Sequence, residues 1–303
     1  MTSLTTAAGM SAGEKTRPAS STGGRMADGR RRSWVAIVTM AFLVVLWTLP
    51  TVGLLVTSLR SRDAQAETGW WTALWNGGWT LENYRGVFET DIGTSLLNSI
   101  IVAIPATVIP IMFAAFAAYA FAFINFRGKD ALFILIVAVM VVPIQVAFQP
   151  LLNLLGPNGL GISGEFIAVW LLHTGFGMPL AIYTLRNYMS TLPFTVIESA
   201  RIDGATAYQT FWKLIVPMSV PALAAFAILQ FLWVWNDLLI AKLFLTADNK
   251  TIIISVQNLL GAQGQGTEFL PAAAFISMLI PMAVFFGLQR FFVRGLTGGA
   301  VKG

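Results

Sequence analysis

The sequence predicts an all-α protein that crosses a membrane several times. Three observations support this fold class: an apolar composition, six long apolar runs, and an uneven distribution of basic residues between those runs. Of the 303 residues, 56% are hydrophobic and only 11% are charged, whereas soluble domains average about 25% charged residues. Because hydrocarbon offers an open backbone no hydrogen-bonding partner, apolar runs that cross it are expected to be helical.

Each apolar run has about 20 residues or more, which is enough to cross roughly 30 Å of hydrocarbon. The predicted spans are 34–56, 95–124, 131–153, 165–186, 219–244 and 271–293. Pro105 and Pro110 are expected to kink the second span. The predicted membrane domain therefore covers 34–296. It lies between an N-terminal segment, 1–33, that is predicted to be disordered, and a short C-terminal tail, 297–303.

The distribution of lysine and arginine predicts the orientation, because cytoplasmic loops carry an excess of both. With the N-terminus in the cytoplasm, the cytoplasmic segments hold 14 of the 19 basic residues. The remaining basic residues are Arg60, Arg62, Arg85, Lys242 and Lys250. The sequence therefore predicts a multi-pass protein of the cell membrane with both termini in the cytoplasm.

Several classes of function are excluded by what the sequence lacks. There is no cysteine, so no disulfide or thiolate ligand can form, and the lone His173 excludes a multi-histidine metal site. No G-x-x-x-x-G-K-[ST] phosphate loop occurs, so ATP and Mg²⁺ are not expected to bind to this chain. The net charge of +5 does not predict nucleic-acid binding, because the basic residues are not clustered with aromatic residues. We therefore expect no catalytic residues, no metal and no cofactor in this chain.

The predicted cytoplasmic segment 187–218, between the fourth and fifth spans, contains the run ESARIDGATAYQTFWKLIVP. It is predicted to form two short helices with a turn between them. Pro193 suits the first turn of the first helix, and Gly204 can adopt the left-handed conformation that ends it. Thr206-x-x-Gln209 is a capping-box pattern that starts the second helix. Pro217 is expected to end that helix or to kink it into the fifth span.

The residues alone leave two interpretations of this helical pair. An apolar stripe at helical spacing favours a helix that lies on the membrane surface. The stripe consists of Tyr208, Phe211, Trp212 and Ile215. Alternatively, a face of small residues (Ser199, Ala200 and Ala205) suits docking into a groove of a soluble partner.

The same segment resembles the EAA loop of permease subunits in ABC importers. That loop reads E-A-A, three residues, Gly, nine residues, Ile-x-Leu-Pro. Here Glu198, Ala200, Gly204 and Pro217 match by type and spacing, and the departures from the pattern are conservative. The stretches HTGFGMPLAIYTLRNYMSTLP and FLWVWNDLL resemble the sugar-importing branch of these permeases. Together with the ending GLTGGAVKG, they are most similar to the smaller permease subunit of maltose and α-glucoside importers, over about 34–303.

The resemblance implies a type I ABC importer permease fold and a non-enzymatic subunit of an ATP-driven sugar importer. Its implied partners are a second homologous permease, two cytoplasmic ATPase subunits that bind ATP and Mg²⁺, an extracytoplasmic sugar-binding protein, the lipid bilayer and the sugar itself. The implied ATPase-coupling residues are Glu198, Ser199, Ala200, Asp203, Gly204, Ala205 and Pro217. Gly298, Gly299 and Lys302 of the tail are implied to reach between the ATPase subunits.

Several polar residues within the predicted spans are candidates for a substrate path. Gln145 and Gln149 lie on one side of the third span at helical spacing, and Gln230, Asn236 and Asp237 lie in the fifth. A carboxylate within a membrane is a functional candidate. Each residue also has a structural alternative: the amides could bond between helices, and Asp237 could neutralise Lys242.

Three further expectations concern other residues. His173 is expected to be a helix-contact residue, because no second titratable group is expected at its depth. The crowded tryptophans of the loop after the first span belong either to an interfacial aromatic belt or to a docking surface for an extracellular protein. They are Trp70, Trp71, Trp75 and Trp79. An ion-coupled secondary transporter is the alternative function, although no internal repeat is apparent.

Overall fold

A computed structural model describes residues 23–261 and 267–297, and within these residues the chain is helical and contains no β-strand. The α-helices are α1 (Gly23–Ser58), α2 (Arg62–Glu67), α3 (Ala73–Asn76), α4 (Glu82–Phe88), α5 (Ile92–Phe123), α6 (Lys129–Val139), α7 (Phe148–Leu155), α8 (Phe166–Met189), α9 (Phe194–Ile202), α10 (Ala207–Thr210), α11 (Val216–Trp235), α12 (Leu239–Phe244), α13 (Ile252–Gly261) and α14 (Leu270–Thr297). Short 3₁₀ segments cover Trp70–Thr72, Ile144–Ala147 and Thr267–Phe269, and Phe211–Ile215 is a π-helix. The tail residues Gly298, Gly299 and Lys302 lie outside the described residues.

Five helical stretches in the described part of the chain are long and apolar enough to span a membrane. They are Trp34–Ser58, Ile92–Phe123, Phe166–Met189, Ala207–Trp235 and Thr267–Phe291. A bent pair of shorter helices raises the number to six. The predicted fold class is confirmed, and the first, second, fourth and sixth predicted spans agree with the structure to within a few residues. Helix α5 runs through both Pro105 and Pro110 without interruption.

The third span was predicted as one helical run over 131–153, but the structure divides this range into two helices. Lys129–Val139 and Ile144–Leu155 are bent by 92° at a short break. Pro143 explains the break, because proline has no N–H to donate and disfavours the helical conformation of the preceding residue. The N–H groups of Met140, Val141 and Val142 bond only three residues back, as in a helix that is ending.

The bounds of the fifth span also differ from the prediction of 219–244. The helix begins at Ala207 and ends at Trp235, and α12 is a separate helix after a break at Asn236 and Asp237. Pro217 was expected to end or kink the preceding helix, but the chain stays helical past it. A π-turn, in which the Val216 N–H bonds to the carbonyl of Phe211, lies directly before the proline.

Helix α1 starts at Gly23, so the prediction of disorder is wrong for residues 23–33, whereas residues 1–22 lie outside the described residues. Helical hydrogen bonds are local, and a helix therefore need not stop where its apolar run starts. Contacts divide the chain into two units, Met1–Val52 and Gly53–Gly303. Within the first unit, the side chains of residues 34–50 are all exposed.

The second unit contains two buried apolar clusters. One includes Ile92, Val102, Val169, Trp235 and Ile252, and we refer to this end of the unit as the far end. The other includes Ala118, Leu185, Ile197, Phe211 and Phe226. We refer to this end of the unit as the loop end. Helices α5 and α8 both run from the far end to the loop end, and α11 returns, so the connection 190–206 and the segment 236–261 lie at opposite ends.

Gln230 joins three of these helices in the interior. It is 3% exposed, and its Nε2 donates to the carbonyl of Ala106 on α5 at 3.2 Å and to that of His173 on α8 at 3.5 Å. A Cβ added at Gly177 would lie 2.7 Å from this nitrogen. Glycine at 177 therefore makes room for an amide that links α11 to α5 and α8.

We expect Gly177→Ala to lower the thermal unfolding temperature, because the new methyl displaces the Gln230 amide and leaves it unbonded at a cost of about 1–3 kcal/mol. Gly175→Ala is the matched control on the same helix, where an added Cβ meets nothing within 4 Å. At that position, the higher helix propensity of alanine should stabilise the protein by up to about 1 kcal/mol. Thermal unfolding of the purified protein in detergent measures both, and equal shifts would contradict this role of Gly177.

Candidate functional site

The candidate site is the connection between α8 and α11, which consists of α9, a turn and α10. One side of α9 packs against the loop-end cluster, with Ile197 fully buried and Ala200 8% exposed. The other attachment is polar: Arg201 Nη2 donates to the carbonyl of Phe123, the last residue of α5, at 3.4 Å. These contacts fix α9 against the end of the bundle.

The turn after α9 is a Schellman motif, which satisfies the last carbonyls of the helix. The Ala205 N–H bonds to the carbonyl of Ala200 at 2.9 Å, and the Gly204 N–H bonds to that of Arg201 at 3.0 Å. Gly204 has φ +78°, a left-handed conformation in which a side chain would be strained. The predicted left-handed conformation of Gly204 at the end of α9 is confirmed.

Helix α10 begins directly after this turn with the predicted capping box. The Gln209 N–H donates to Thr206 Oγ1 at 3.2 Å, and the Thr206 N–H donates to Gln209 Oε1 at 2.9 Å. Pro193, expected in the first turn of α9, instead stands at its N-cap. The pair of helices is therefore tightly specified by local hydrogen bonds, with a cap on each side of the turn.

The outer surface of this helical pair is acidic and apolar. Glu198, Ser199 and Asp203 are exposed. Beside them lie Ile202, which is 85% exposed, and Tyr208, which is 68% exposed. Large apolar side chains at such exposure are typical of a surface that a partner covers.

Two sequence predictions about this surface are corrected by burial. Ala200 is buried in the chain itself, so it positions α9 and does not belong to the exposed face, and Ala205 is half-buried. The apolar stripe is divided in the same way. Phe211 and Ile215 are buried, while Tyr208 and Trp212 form an exposed aromatic pair with ring centroids 6.2 Å apart.

Ile202 is a surface residue that the sequence predictions did not include. It lies five positions after the buried Ile197 on the same short helix, which places the two side chains about 140° apart around the axis. The sequence signal for its exposure was its position, because this isoleucine lies far from the buried face of the helix and between two charged residues.

Comparison with known proteins identifies the family. A family model described as "Binding-protein-dependent transport system inner membrane component" matches residues 110–298, a range that contains the whole connection and the helices on both sides of it. The chain belongs to this family.

Similar proteins share nearly the whole length of the chain. The osmoprotective compounds uptake permease protein GgtD of Synechocystis sp. is 50% identical over 88% of this chain and 91% of its own. The alpha-glucoside transport system permease protein AglG of Rhizobium meliloti is 39% identical, over 89% of this chain and 97% of its own. A solved bacterial ABC transporter that imports the acidic polysaccharide alginate has the same fold, with TM-score 0.71 and 20% identity, over 91% of this chain and all of that one.

Family membership, together with the spans, makes the chain a multi-pass permease component of the inner membrane and replaces the ion-coupled secondary transporter as an interpretation. Of the predicted path residues, Gln145 and Gln149 are exposed, and both follow the break that ends α6. For Gln230, the described structure favours the interhelical alternative over the substrate path. Its amide is buried and bonds between helices.

Asn236 and Asp237 occupy the break between α11 and α12. Asn236 is exposed and donates to the carbonyl of Leu232 in its own helix at 2.8 Å. Asp237 accepts from the Ala241 N–H at 2.9 Å and so caps the start of α12. The alternative that Asp237 neutralises Lys242 is wrong, because Lys242 Nζ donates to Gln257 Oε1 instead.

His173 has a titratable neighbour, contrary to the expectation from sequence. Its Nε2 lies 3.7 Å from Asp237 Oδ2, and its ring packs edge-on to Trp233 with centroids 5.0 Å apart. His173 is fully buried, and neither ring nitrogen has a hydrogen-bond partner among the described residues. The separation exceeds that of a hydrogen bond by about 0.5 Å, so a small shift of α8 against the α11–α12 break would close it.

We expect Asp237→Ala to destabilise the chain by about 1–2 kcal/mol, because the first turn of α12 loses its side-chain acceptor. Asn236→Ala is the neighbouring control and should have little effect, since the exposed Asn236 bonds only within its own helix. Asp237→Asn should recover part of the stability, because an amide oxygen still accepts. Detergent unfolding curves of the three variants test this, and equal losses for the two alanine variants would refute the capping role.

Proposed function

We propose that this chain is the permease subunit of an ATP-driven importer that carries an α-glucoside or a related oligosaccharide. The observation that supports the proposal most is the exposed helical pair α9–α10, firmly capped and presented at the end of a bundle that belongs to a binding-protein-dependent transport family. In this proposal the chain forms half of the translocation pathway. A second homologous permease forms the other half, and an extracytoplasmic binding protein delivers the sugar.

The proposed partner of α9 and α10 is a cytoplasmic ATPase subunit, one of two, which binds the ATP and Mg²⁺ that this chain has no loop to hold. Glu198 and Asp203 would meet basic groups of that subunit, while Ile202 and Tyr208 supply the apolar contacts. This places the loop end and both chain termini on the cytoplasmic side, in agreement with the distribution of basic residues.

Motion of the ATPase subunit would reach the spans through two attachments of the helical pair. Arg201 ties α9 to the end of α5, and α10 continues through the π-segment into α11 as one helical stretch. A displacement of α9 therefore moves two spans together. No hydrolysis is assigned to this chain, which acts by transmitting movement.

The exposed amides beside the α6–α7 break are the proposed contacts to the sugar. Gln149 and Asn153 lie four residues apart on α7 and are both exposed, whereas Phe148 and Leu155 are buried. Amide groups both donate and accept hydrogen bonds, as sugar hydroxyls require. Amide groups that face lipid are energetically costly. We therefore infer that Gln149 and Asn153 face a water-filled path or the second permease.

Two of the similar proteins suggest different substrates. The name of the Rhizobium meliloti protein specifies an alpha-glucoside, and that of the Synechocystis protein specifies osmoprotective compounds. Uptake by the complete complex in ATP-loaded vesicles should therefore be measured with radiolabelled maltose and with glycine betaine. We expect ATP-dependent accumulation of maltose and none of glycine betaine. Uptake of glycine betaine alone would overturn the sugar assignment, and uptake that follows an ion gradient without ATP would overturn the importer assignment.

Gly204→Val should uncouple transport from ATP hydrolysis. A β-branched side chain at φ +78° costs about 1–2 kcal/mol and reorients α9 against α10, so maltose uptake per assembled complex should fall at least tenfold (about 1.4 kcal/mol). Gly128→Val is the matched control, with φ +80° and open space around an added side chain, between α5 and α6 at the same end. If both variants retain uptake at equal protein levels, α9–α10 is not the coupling element.

A further inference from the structure

The loop that follows α1 closes on itself. Arg60 and Trp79 form an antiparallel bridge, the Ser61 N–H bonds to the carbonyl of Gly78 at 2.8 Å, and the Thr80 N–H bonds to that of Leu59 at 2.8 Å. Inside the loop, the buried Arg60 guanidinium donates to the carbonyl and the hydroxyl of Thr68. Residues 60–79 are therefore a compact unit whose two ends meet at the end of α1.

This loop folds back along the last turns of a membrane span. A Cβ added at Gly53 would lie 2.9 Å from the indole of Trp70, so the indole packs directly on α1 at that level. Gly53 precedes the end of the span Trp34–Ser58 by five residues, which is about 7.5 Å along the helix axis. The interfacial layer of a bilayer is about 5–7 Å thick on each side of the hydrocarbon. The 25 residues of the span extend over about 37 Å and so pass about 30 Å of hydrocarbon by about 4 Å at each end. Trp70 therefore packs on α1 close to the boundary between hydrocarbon and headgroups.

The residues after Trp70 divide into an inner and an outer side. Ala73 is 2% exposed and faces the protein, as Trp70 does. Trp71, Leu74 and Trp75 are 65%, 82% and 80% exposed, and their spacing of three and four places them on one side of the short helical turn. We name these three residues the Trp71 ridge. It points away from the chain, within about one helical turn of Trp70.

We propose that the Trp71 ridge inserts into the interfacial layer of the bilayer, with phospholipid as its partner. Tryptophan is enriched at this layer, where its ring is apolar and its N–H can remain hydrated. The ridge follows directly after Trp70, whose indole packs on the last turns of a span. A soluble protein could not reach a surface beside Gly53 without entering the headgroups.

Insertion of the ridge does not depend on lipid charge. The charged residues of 60–79 are Arg60, Arg62, Asp63 and Glu67, which balance. Neutral phosphatidylcholine should therefore serve as well as anionic phosphatidylglycerol, because the attraction comes from burial of apolar side chains. The proposal is independent of what the complex transports.

The absence of cysteine from the chain allows a direct test. Leu74→Cys and Trp75→Cys, each spin-labelled in the full chain within its assembled complex, are placed in phosphatidylcholine nanodiscs. The exposed Asp63→Cys on α2 is the control. We expect the ratio of O₂ to nickel-chelate collisions to be several-fold higher at 74 and 75 than at 63, because O₂ concentrates in lipid and the chelate in water. Both ridge residues are more than three-quarters exposed, so the labels remove little packing.

Three results would overturn the proposal. Ready access of the nickel chelate to 74 and 75 would place the ridge in water. Low access of both reagents would mean that a protein covers it, and a further loss of access on adding the binding protein would identify that partner. Insertion seen only with phosphatidylglycerol would mean that charge, not apolar burial, holds the loop at the membrane. Maltose uptake is not part of this test, so its outcome does not depend on the proposed function.

Discussion

The backbone hydrogen bond is the constraint on which the rest of this structure depends. Hydrocarbon cannot replace a missing partner of an N–H or carbonyl group, and each unsatisfied group costs several kcal/mol. Most of the described chain is helical for this reason. The informative places are those where the helical pattern is interrupted, because something else must then satisfy the backbone.

In the part of the chain that the structure describes, three interruptions occur within or at the end of a span, and each is resolved differently. At the break before Pro143, the N–H groups bond three residues back, as in a helix that is ending. Before Pro217, a π-turn absorbs the disturbance and the helix continues. After Trp235, the carboxylate of Asp237 receives the N–H groups that begin α12. Two of these places, the Pro143 break and Asp237, also hold polar side chains, which a lipid-facing segment would not tolerate.

Features set by neighbouring residues could be predicted from the sequence. The capping box of Thr206 and Gln209 and the left-handed Gly204 depend on bonds that reach at most five residues, and both were predicted. The spans with no internal break were predicted because length and hydropathy decide them. The signal at Pro143 was local as well, but the third span was predicted from the length of its apolar run alone.

Features set by packing could not be predicted. Gln230 is an interhelical residue only because Ala106 and Gly177 lie opposite it, and the inward orientation of Ala200 depends on the cluster beneath α9. The proximity of His173 and Asp237 arises because α12 turns back beside α8. Separations of 57 and 124 residues in sequence give no periodicity from which such contacts could be read.

The unbroken stretch Ala207–Trp235 has a mechanical consequence. Its 29 residues extend over about 43 Å, with the capping box at one end and the His173–Asp237 pair just beyond the other. Such a rod acts as a lever arm that pivots where Gln230 bonds to α5 and α8, five residues before its far end. A tilt of about 4° moves the capped end by about 2 Å and the far tip by about 0.5 Å. The second distance is about the amount by which the His173–Asp237 separation exceeds a hydrogen bond. The π-turn interrupts the α-helical hydrogen-bond pattern near the capped end, so a torque applied there passes through it on the way to the far side of the membrane.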